Sequence, residues 1–320
     1  MSQTISHSSE LKGVFPAIFT PLNNDDPLRL NNTIDYKKAE KIIDDLIASG
    51  VTGLVPVGTT GQSTTLSAQQ HIDFIKFTIE YVNNRVPIIA GAGSNCTRES
   101  VETINKIQAD AGKVSFLCVT GYYNNPPQEG LLKHFETVVS ETGANLVLYN
   151  VPGRTNSYLQ PQTLIELAKN EHIIGLKQAV DFKSPGAFRE DTIKVIEETA
   201  ALDFSVFTGE DDALVSVLEL GGAGMITATG NIPEAAKIYV KIMTAFHAGN
   251  LGEARNLQAS LSVFVNSCFL AKNPVPLATL FNSPVFQPLI SIADMDNGEL
   301  LHQQLMNLID SHAPSLKQYF

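Results

Sequence analysis

A regular alternation of short apolar runs with longer amphipathic stretches, which begins near residue 13, constrains the fold more than any other feature of this sequence. Such an alternation favours parallel strands joined by crossover helices. Eight units of this kind predict an α/β fold, a closed (β/α)8 TIM barrel, because an open sheet of eight parallel strands needs edges and a topological switch point; the open sheet remains the alternative. The predicted strands are Gly13–Thr20, Gly53–Val57, Val86–Ala90, Val114–Val119, Leu146–Asn150, Ile173–Lys177, Ser205–Thr208 and Gly224–Ala228.

Helical patterns follow the predicted strands, and their ends carry residues that are typical of helix termini. Thr33 with Asp35, Ser67 and Thr97 stand where a side chain can bind the first backbone N–H groups of a helix. Glycines are expected to end four of the helices, at Gly50, Gly112, Gly143 and Gly221.

The sequence after the eighth helix has no strand pattern and is predicted to be helical. Its helical stretches are Glu253–Ser267, Asn273–Leu280 and Gly298–Ser311. A barrel of roughly 250 residues uses most of a chain of 320 residues. The predicted organisation is therefore a catalytic barrel domain at 13–248 and a C-terminal helical domain at 249–320.

Composition and charge exclude several classes of partner. The formal net charge is −11 and no run of lysines and arginines occurs, so nucleic acid is not an expected partner. No apolar run reaches the roughly 18 residues that cross a bilayer, and the polar segment Met1–Glu10 does not resemble a secretory signal. Three cysteines without CxxC spacing predict reduced thiols, and hence a cytoplasmic location.

Cofactor motifs are also missing from the sequence. The seven histidines are scattered and no HExxH motif occurs, so no metal site is expected. No GxGxxG follows a predicted strand, so no dinucleotide is expected. The glycine-rich segment Gly221–Gly224 precedes a strand rather than following one, and the acidic run Glu210–Asp212 would repel phosphate. We therefore expect these glycines to end a helix and to allow tight packing.

Lys177 interrupts an apolar strand near its carboxyl end, in the sequence IIGLKQA. Barrel enzymes build their active sites at this end of the strands. Desolvation disfavours the ammonium and lowers the pKa of a lysine, which leaves an amine that attacks carbonyl groups. Lys177 is therefore a candidate for imine formation. A strand-end lysine can also reach solvent or pair with a carboxylate, and its position alone leaves both interpretations open.

Two residues near the preceding strand fit the same chemistry. Tyr149 is predicted to lie beside Lys177, where its phenol can exchange a proton with a carbinolamine. Arg154 follows on the loop, where its guanidinium can bind a carboxylate through two hydrogen bonds. Taken separately, a strand tyrosine such as Tyr149 is more often a core residue, and Arg154 can equally be an exposed loop residue.

Two more loops that follow predicted strands carry polar or aromatic side chains. Gly58–Ser63, with the sequence GTTGQS, offers backbone N–H groups and hydroxyls that suit a small carboxylate, although glycines also form ordinary tight turns. Thr120–Pro127 carries the adjacent residues Tyr122 and Tyr123. These aromatic side chains indicate contact with a site or a partner subunit, or else packing within the loop.

Four ordered motifs, GTTGQS, GYYNNP, YNVPGRT and IIGLKQA, resemble those of the dihydrodipicolinate synthase and N-acetylneuraminate lyase superfamily. The resemblance runs from about residue 13 to residue 240 and more loosely to the end. It implies that Lys177 forms a Schiff base with pyruvate and that Tyr149 shuttles protons. It also implies that Thr59 connects Tyr149 to Tyr123, and that Tyr123 reaches in from a neighbouring subunit.

The same resemblance assigns the remaining pocket residues and a branch of the superfamily. Thr60 would bind the pyruvate carboxylate, and Gly209 and Ile226 would complete the pocket. Arg154 resembles the arginine of the synthase branch, which receives the carboxylate of L-aspartate 4-semialdehyde. The implied reaction is the condensation of pyruvate with this aldehyde to 4-hydroxy-tetrahydrodipicolinate in diaminopimelate and lysine biosynthesis.

Other consequences of the resemblance concern assembly and the alternatives. The superfamily implies a homo-oligomer, a dimer of dimers, that works without a cofactor or a metal. One alternative is a pyruvate aldolase or lyase that acts on a sugar acid or on 4-hydroxy-2-oxoglutarate. Another is a non-catalytic barrel that binds a small acid.

The inhibitory lysine site of the superfamily is only partly matched. Ala68 replaces a histidine that is often found in that site. Gln62 stands where glutamate is usual, and residues 271–277 read AKNPVPL against a usual pattern closer to EPNPIPVK. The matching positions of the lysine site are Ser63, His71, Asn95, Glu99 and Tyr122.

Overall fold

The computed structural model describes residues 11–112 and 114–320, so the polar segment 1–10, which does not resemble a secretory signal, lies outside the described residues. The chain divides into two compact units. The first unit comprises the described residues up to Gly13 together with Pro87–Ile226, and the second comprises Val14–Val86 together with Thr227–Phe320.

Strands and helices alternate over most of the described chain. The strands are β1 (Gly13–Pro16), β2 (Ile89–Gly91), β3 (Ser115–Val119), β4 (Leu146–Asn150), β5 (Ile173–Gln178), β6 (Ser205–Thr208) and β7 (Gly224–Thr227). The helices are α1 (Tyr36–Ala48), α2 (Ala68–Val82), α3 (Thr97–Ala111), α4 (Gln128–Thr142), α5 (Pro152–Thr155), α6 (Pro161–Leu167), α7 (Ala187–Thr199), α8 (Leu214–Glu219), α9 (Pro233–His247), α10 (Leu251–Ser260), α11 (Ser262–Cys268), α12 (Val275–Leu280) and α13 (Gly298–Ser311).

The first unit is built on a parallel sheet with the strand order β7-β6-β5-β4-β3-β2. Every residue of β4 and β5 is buried. Strands buried on both faces are near-continuous apolar runs, which is why the sequence pattern identified them. The register aligns Tyr149 with Lys177 and Asn150 with Gln178, so the carboxyl ends of β4 and β5 lie side by side.

Close packing explains the glycines that precede β7. Gly221 ends the α8 segment with φ 95°, and a Cβ on Gly222 would lie 2.9 Å from the Val206 carbonyl oxygen. Gly224 has φ 148°, and a Cβ there would overlap the carbonyl oxygen of Gly13. The predicted roles in helix termination and tight packing are therefore confirmed.

Helix termini follow the sequence signals at α1 and α2 but not at α3, where Cys96 precedes the first turn without a side-chain cap and Thr97 Oγ1 instead lies 2.8 Å from His134 Nδ1. Asp35 caps α1 by accepting a hydrogen bond from the Lys38 N–H at 3.0 Å, and Ser67 forms a reciprocal capping box with Gln70 at the start of α2. The glycines predicted to end helices all have positive φ, at Gly50, Gly112, Gly143 and Gly221. Only glycine adopts this conformation without a steric penalty from a Cβ.

The second unit contains the rest of β1 and the C-terminal helices, among which α9 contacts α1. The predicted strand Gly53–Val57 is reduced here to a parallel bridge between Ala17 and Val55. It is short because Val57 adopts φ 55°, which turns the chain out of the extended conformation. The predicted helix Glu253–Ser267 is divided at Leu261 into α10 and α11. Among the helices of the described ranges, none is long and apolar enough to cross a bilayer.

Candidate active site

The carboxyl ends of β4 and β5 bring together an amine and a phenol in the first unit. Lys177 and Tyr149 are each 7 % exposed, and Lys177 Nζ lies 4.5 Å from the centroid of the Tyr149 ring. A lysine ammonium within about 6 Å of an aromatic face is attracted by the ring quadrupole. The predicted proximity of Tyr149 to Lys177 is therefore confirmed, and the amine is held in a mostly desolvated position.

The residues that follow this pair fix the strands from the opposite side of the sheet, because successive side chains of a strand point to opposite faces. Asn150 Nδ2 donates to Gln178 Oε1 at 3.0 Å and to the Leu159 carbonyl oxygen at 3.1 Å. Gln178 Nε2 in turn donates to Thr192 Oγ1 at 3.3 Å. These buried amides were not predicted as site residues, although polar side chains inside apolar strands are a recognisable signal.

Gly209, which follows β6, lies against the Lys177 side chain. A Cβ on Gly209 would lie 2.9 Å from Lys177 Cε and 2.6 Å from Ala179 Cβ, so a larger residue would displace the lysine. The Gly209 N–H donates to the Gln178 carbonyl oxygen at 2.8 Å, which holds this close approach in place. The lack of a side chain on Gly209 therefore leaves room for Lys177. Ile226, on β7, is completely buried in the same unit.

Acidic side chains follow Gly209 in the same loop. Burial raises the pKa of the Glu210 carboxyl, and the negative charges of Asp211 and Asp212 raise it further. The positive charges of Lys183 and Lys177 act in the opposite direction, and Lys183 also forms an ion pair with Asp212. The site therefore places a carboxyl that holds its proton more strongly than usual within the electrostatic reach of Lys177.

Arg154 lies on a turn that follows β4. The short helix α5 contains Arg154 and ends at Asn156, which has φ 55°. Thr155 anchors the turn, because it accepts a hydrogen bond from Thr120 Oγ1 at 3.2 Å and donates to the Ser157 carbonyl oxygen at 2.9 Å. The guanidinium of Arg154 is thus exposed on a turn whose backbone is fixed.

The aromatic loop after β3 presents Tyr123 to solvent. Tyr123 is 93 % exposed and has φ 71°, which is an uncommon conformation for a bulky residue. Asn124 closes this loop, since its N–H donates to the Tyr122 carbonyl oxygen and its Nδ2 to the Asn95 carbonyl oxygen, each at 2.9 Å. The loop is therefore ordered by its own hydrogen bonds while the Tyr123 ring stays outside.

Two predicted residues of the lysine site lie just before α3 and in its first turn. Asn95 holds Asn124 as described, and Glu99 accepts a hydrogen bond from Ser94 Oγ at 2.7 Å in the first turn of α3. Ser63 and His71 belong to the second unit, where the Ser63 N–H donates to the Gly58 carbonyl oxygen at 3.2 Å and the His71 N–H to that of Ser67 at 2.9 Å.

The threonines of the GTTGQS loop also belong to the second unit. Thr60 is 3 % exposed, and its Oγ1 accepts a hydrogen bond from Asn273 Nδ2 at 2.9 Å. The Thr59 carbonyl oxygen accepts a hydrogen bond from the Gln62 N–H at 3.1 Å. The contact with Asn273 was not foreseen, because 213 residues separate the partners and no local pattern joins them.

The strand–helix alternation, the parallel sheet and the appended C-terminal helices define a (β/α)8 barrel protein with a buried lysine at the end of one strand. Residues 10–284 match the model of the dihydrodipicolinate synthetase family, and the chain belongs to this family. The 4-hydroxy-tetrahydrodipicolinate synthase of Nitratidesulfovibrio vulgaris strain DP4 is 37 % identical over 273 residues, which are 84 % of this chain and 87 % of that protein.

Solved structures confirm the predicted barrel and its helical appendage. A crystal structure of dihydrodipicolinate synthase has a TM-score of 0.82 at 34 % identity, and the match covers 95 % of this chain and 99 % of that one. A monomeric dihydrodipicolinate synthase variant has a TM-score of 0.84 at 27 % identity and covers 95 % of this chain and 97 % of its own. The similarity therefore extends over nearly the whole chain.

We predict that the substitution Gly209→Ala slows the reaction of the Lys177 amine with a small α-keto acid by roughly 10²-fold, the cost of misplacing a reacting group by about 1 Å. The added Cβ would press on Lys177 Cε and move the amine. The rate can be measured by borohydride trapping with a small α-keto acid and mass spectrometry. Gly252→Ala on α10 is the control, because a Cβ there meets nothing within 4 Å. Equal rates in the two variants would contradict the assigned contact.

Proposed function

We propose that this protein is a lyase that condenses pyruvate with L-aspartate 4-semialdehyde to give 4-hydroxy-tetrahydrodipicolinate, in diaminopimelate and lysine biosynthesis. Membership of the dihydrodipicolinate synthetase family and the name of the relative from Nitratidesulfovibrio vulgaris support this reaction. The observation that carries the proposal is the buried amine of Lys177, 4.5 Å from the ring of Tyr149 at the carboxyl end of β5.

Lys177 is the proposed nucleophile. Its Nζ adds to the keto carbon of pyruvate to give a carbinolamine, and loss of water from that adduct gives the imine. The imine withdraws electrons from the methyl carbon, so loss of a methyl proton leaves an enamine that attacks the aldehyde. The amine of the semialdehyde then displaces Lys177 as the ring closes. Since the imine itself is the electron sink, the reaction requires no further cofactor.

Tyr149 is the proposed proton shuttle, because its phenol lies next to the amine that gains and loses protons during imine formation. The family resemblance supports a relay through Thr59 to Tyr123. It also supports Thr60 as the ligand of the pyruvate carboxylate, with Gly209 and Ile226 at the pocket wall.

Arg154 is the proposed ligand of the semialdehyde carboxylate. A guanidinium on a turn that Thr155 anchors is suited to bidentate binding of a planar carboxylate. The alternative aldolase, which acts on a sugar acid or on 4-hydroxy-2-oxoglutarate, is less well supported, because it gives Arg154 no defined role. A non-catalytic acid-binding barrel has no use for a buried amine beside a phenol.

We also propose properties that concern the whole molecule. The chain forms a homo-oligomer, a dimer of dimers in the family pattern, and works in the cytoplasm, where its buried thiols at Cys118 and Cys268 remain reduced. The boundary between the barrel domain and the helical domain lies near residue 248. The lysine-site residues in the first unit, including Glu99 and Tyr122, bind free lysine weakly at most, which a lysine titration of the activity tests.

We predict that borohydride reduction in the presence of pyruvate attaches a 1-carboxyethyl group to Lys177, because hydride adds to the imine carbon. Peptide mass mapping locates the modified residue. The variant Lys177→Arg should show no adduct and no ring formation, whereas Lys169→Arg should behave like the wild type, because Lys169 is exposed and paired with Glu166. An adduct on another residue, or none, would overturn the proposed mechanism.

We predict that Arg154→Ala raises the KM for aspartate semialdehyde by roughly tenfold or more, because a hydrogen-bonded charge pair is lost. Trapping of pyruvate on Lys177 should stay near the wild-type level, since that step precedes aldehyde binding. Arg189→Ala serves as the matched control, because the guanidinium of Arg189 donates to the Phe182 carbonyl oxygen instead. Unchanged kinetics with the semialdehyde in Arg154→Ala would refute this choice of second substrate.

We predict that sedimentation velocity shows a dimer or a larger species. Tyr123→Ala should lower kcat by roughly 10²-fold or more, the usual scale for loss of a proton-transfer group. The exposure and the left-handed backbone of Tyr123 support a partner surface at this loop. Phe320→Ala, which removes another exposed ring, is the control. A fully active monomer would contradict the role of a neighbouring subunit.

A further inference from the structure

A buried hydrogen bond in the second unit joins the C-terminal segment to the GTTGQS loop. Asn273 Nδ2 lies 2.9 Å from Thr60 Oγ1, and the two residues are 8 % and 3 % exposed. The side chains meet although 213 residues separate them in the chain. Such a contact fixes the direction of the threonine hydroxyl as well as its position.

The chemistry of the two groups determines that direction. The amide nitrogen of asparagine only donates, whereas a threonine hydroxyl has one proton to donate and two lone pairs to accept. Asn273 therefore occupies a lone pair of Thr60 Oγ1 and leaves the hydroxyl proton available. Within the described part of the chain, Thr60 Oγ1 donates no hydrogen bond to another protein group, and the bond that it accepts from Asn273 is the one it makes.

The loop that carries Thr60 is held rigidly from both sides. Val57 and Gln62 have φ 55° and 60°, a conformation that costs energy for residues other than glycine and persists where surrounding contacts enforce it. Gln62 supplies such contacts, because its Nε2 donates to the Thr20 carbonyl oxygen at 3.3 Å and its Oε1 accepts from the Phe286 N–H at 3.0 Å. Thr20 Oγ1 also donates to the Gly61 carbonyl oxygen at 2.8 Å.

We infer that Asn273 is a positioning residue that orients the Thr60 hydroxyl so that its proton is donated to the carboxylate of pyruvate. The inference rests on the proposed function, in which Thr60 binds that carboxylate. An ionised carboxylate only accepts hydrogen bonds, so a hydroxyl that presents a lone pair would repel it. Asn273 thus makes the contact between the Thr60 hydroxyl and the carboxylate attractive rather than repulsive, although Asn273 itself does not contact the substrate.

A merely structural role for Asn273 predicts a different ranking of its variants by their effect on pyruvate binding. Asn273→Asp keeps the shape of the side chain but replaces the donor by an acceptor, which draws the Thr60 proton away from pyruvate. Asn273→Ala removes the contact and leaves the hydroxyl free to rotate. If Asn273 only fills space, Asn273→Asp should weaken the binding of pyruvate less than Asn273→Ala does. If it orients the hydroxyl, Asn273→Asp should weaken the binding of pyruvate more.

The test measures the pyruvate concentration that gives half-maximal borohydride-trapped adduct on Lys177, without the aldehyde. We expect Asn273→Asp to raise this concentration by roughly tenfold or more, the scale of a hydrogen bond to a charged group, and Asn273→Ala to raise it less. The kcat at saturating pyruvate should change less than the half-saturating concentration. Thermal unfolding checks that the variants are folded, and Asn266→Asp, at an exposed position of α11, controls for the added charge.

The variant Thr60→Val removes the hydroxyl and closes a double-mutant cycle. In that background Asn273→Asp should cause no further loss, because the proton that it misdirects is absent. The inference is overturned if the aspartate variant is equal to or milder than the alanine variant, or if its effect persists in Thr60→Val. A wild-type protein that forms no adduct with pyruvate would refute the proposed function. A wild-type adduct with the wrong ranking of the Asn273 variants would refute only the role of Asn273.

Discussion

The candidate site depends on one arrangement: a lysine and a tyrosine at aligned positions of adjacent parallel strands, both almost completely buried. Removing an ammonium from water costs free energy unless other groups compensate. Part of the compensation comes from the face of the Tyr149 ring, 4.5 Å from Lys177 Nζ. The same ring carries the phenol that the proposed chemistry needs, so stabilising the ammonium and exchanging protons with it are properties of one side chain.

The sheet supports this pair through the residues next in sequence. The alternation of side chains in a strand sends Asn150 and Gln178 to the opposite face, where their amides bind one another and Thr192. Buried amides with satisfied hydrogen bonds fix the relative position of two strands more specifically than apolar contacts do. A candidate functional residue and a structural residue therefore alternate along the same strand.

Much of the fold and part of the site could be predicted from the sequence because their signals are local. Buried strands are apolar runs, Ser67 and Gln70 form the capping box that their spacing indicates, and the glycines at helix ends have positive φ. Lys177 was recognisable as a charge within an apolar strand. The second predicted strand was wrong in extent, since no local pattern indicates that Val57 takes up a left-handed conformation.

The contacts of Thr60 were beyond prediction for a related reason. Asn273 reaches Thr60 across 213 residues, and the Phe286 N–H reaches Gln62 across 224 residues. Contacts so distant in sequence form only after the entropy of closing a long loop has been overcome. During synthesis, the GTTGQS loop therefore leaves the ribosome long before its partners exist. Until the C-terminal segment has been synthesised, the loop lacks its hydrogen bonds to Asn273 and Phe286. A truncated chain without that segment therefore keeps Thr60 and loses the groups that hold it.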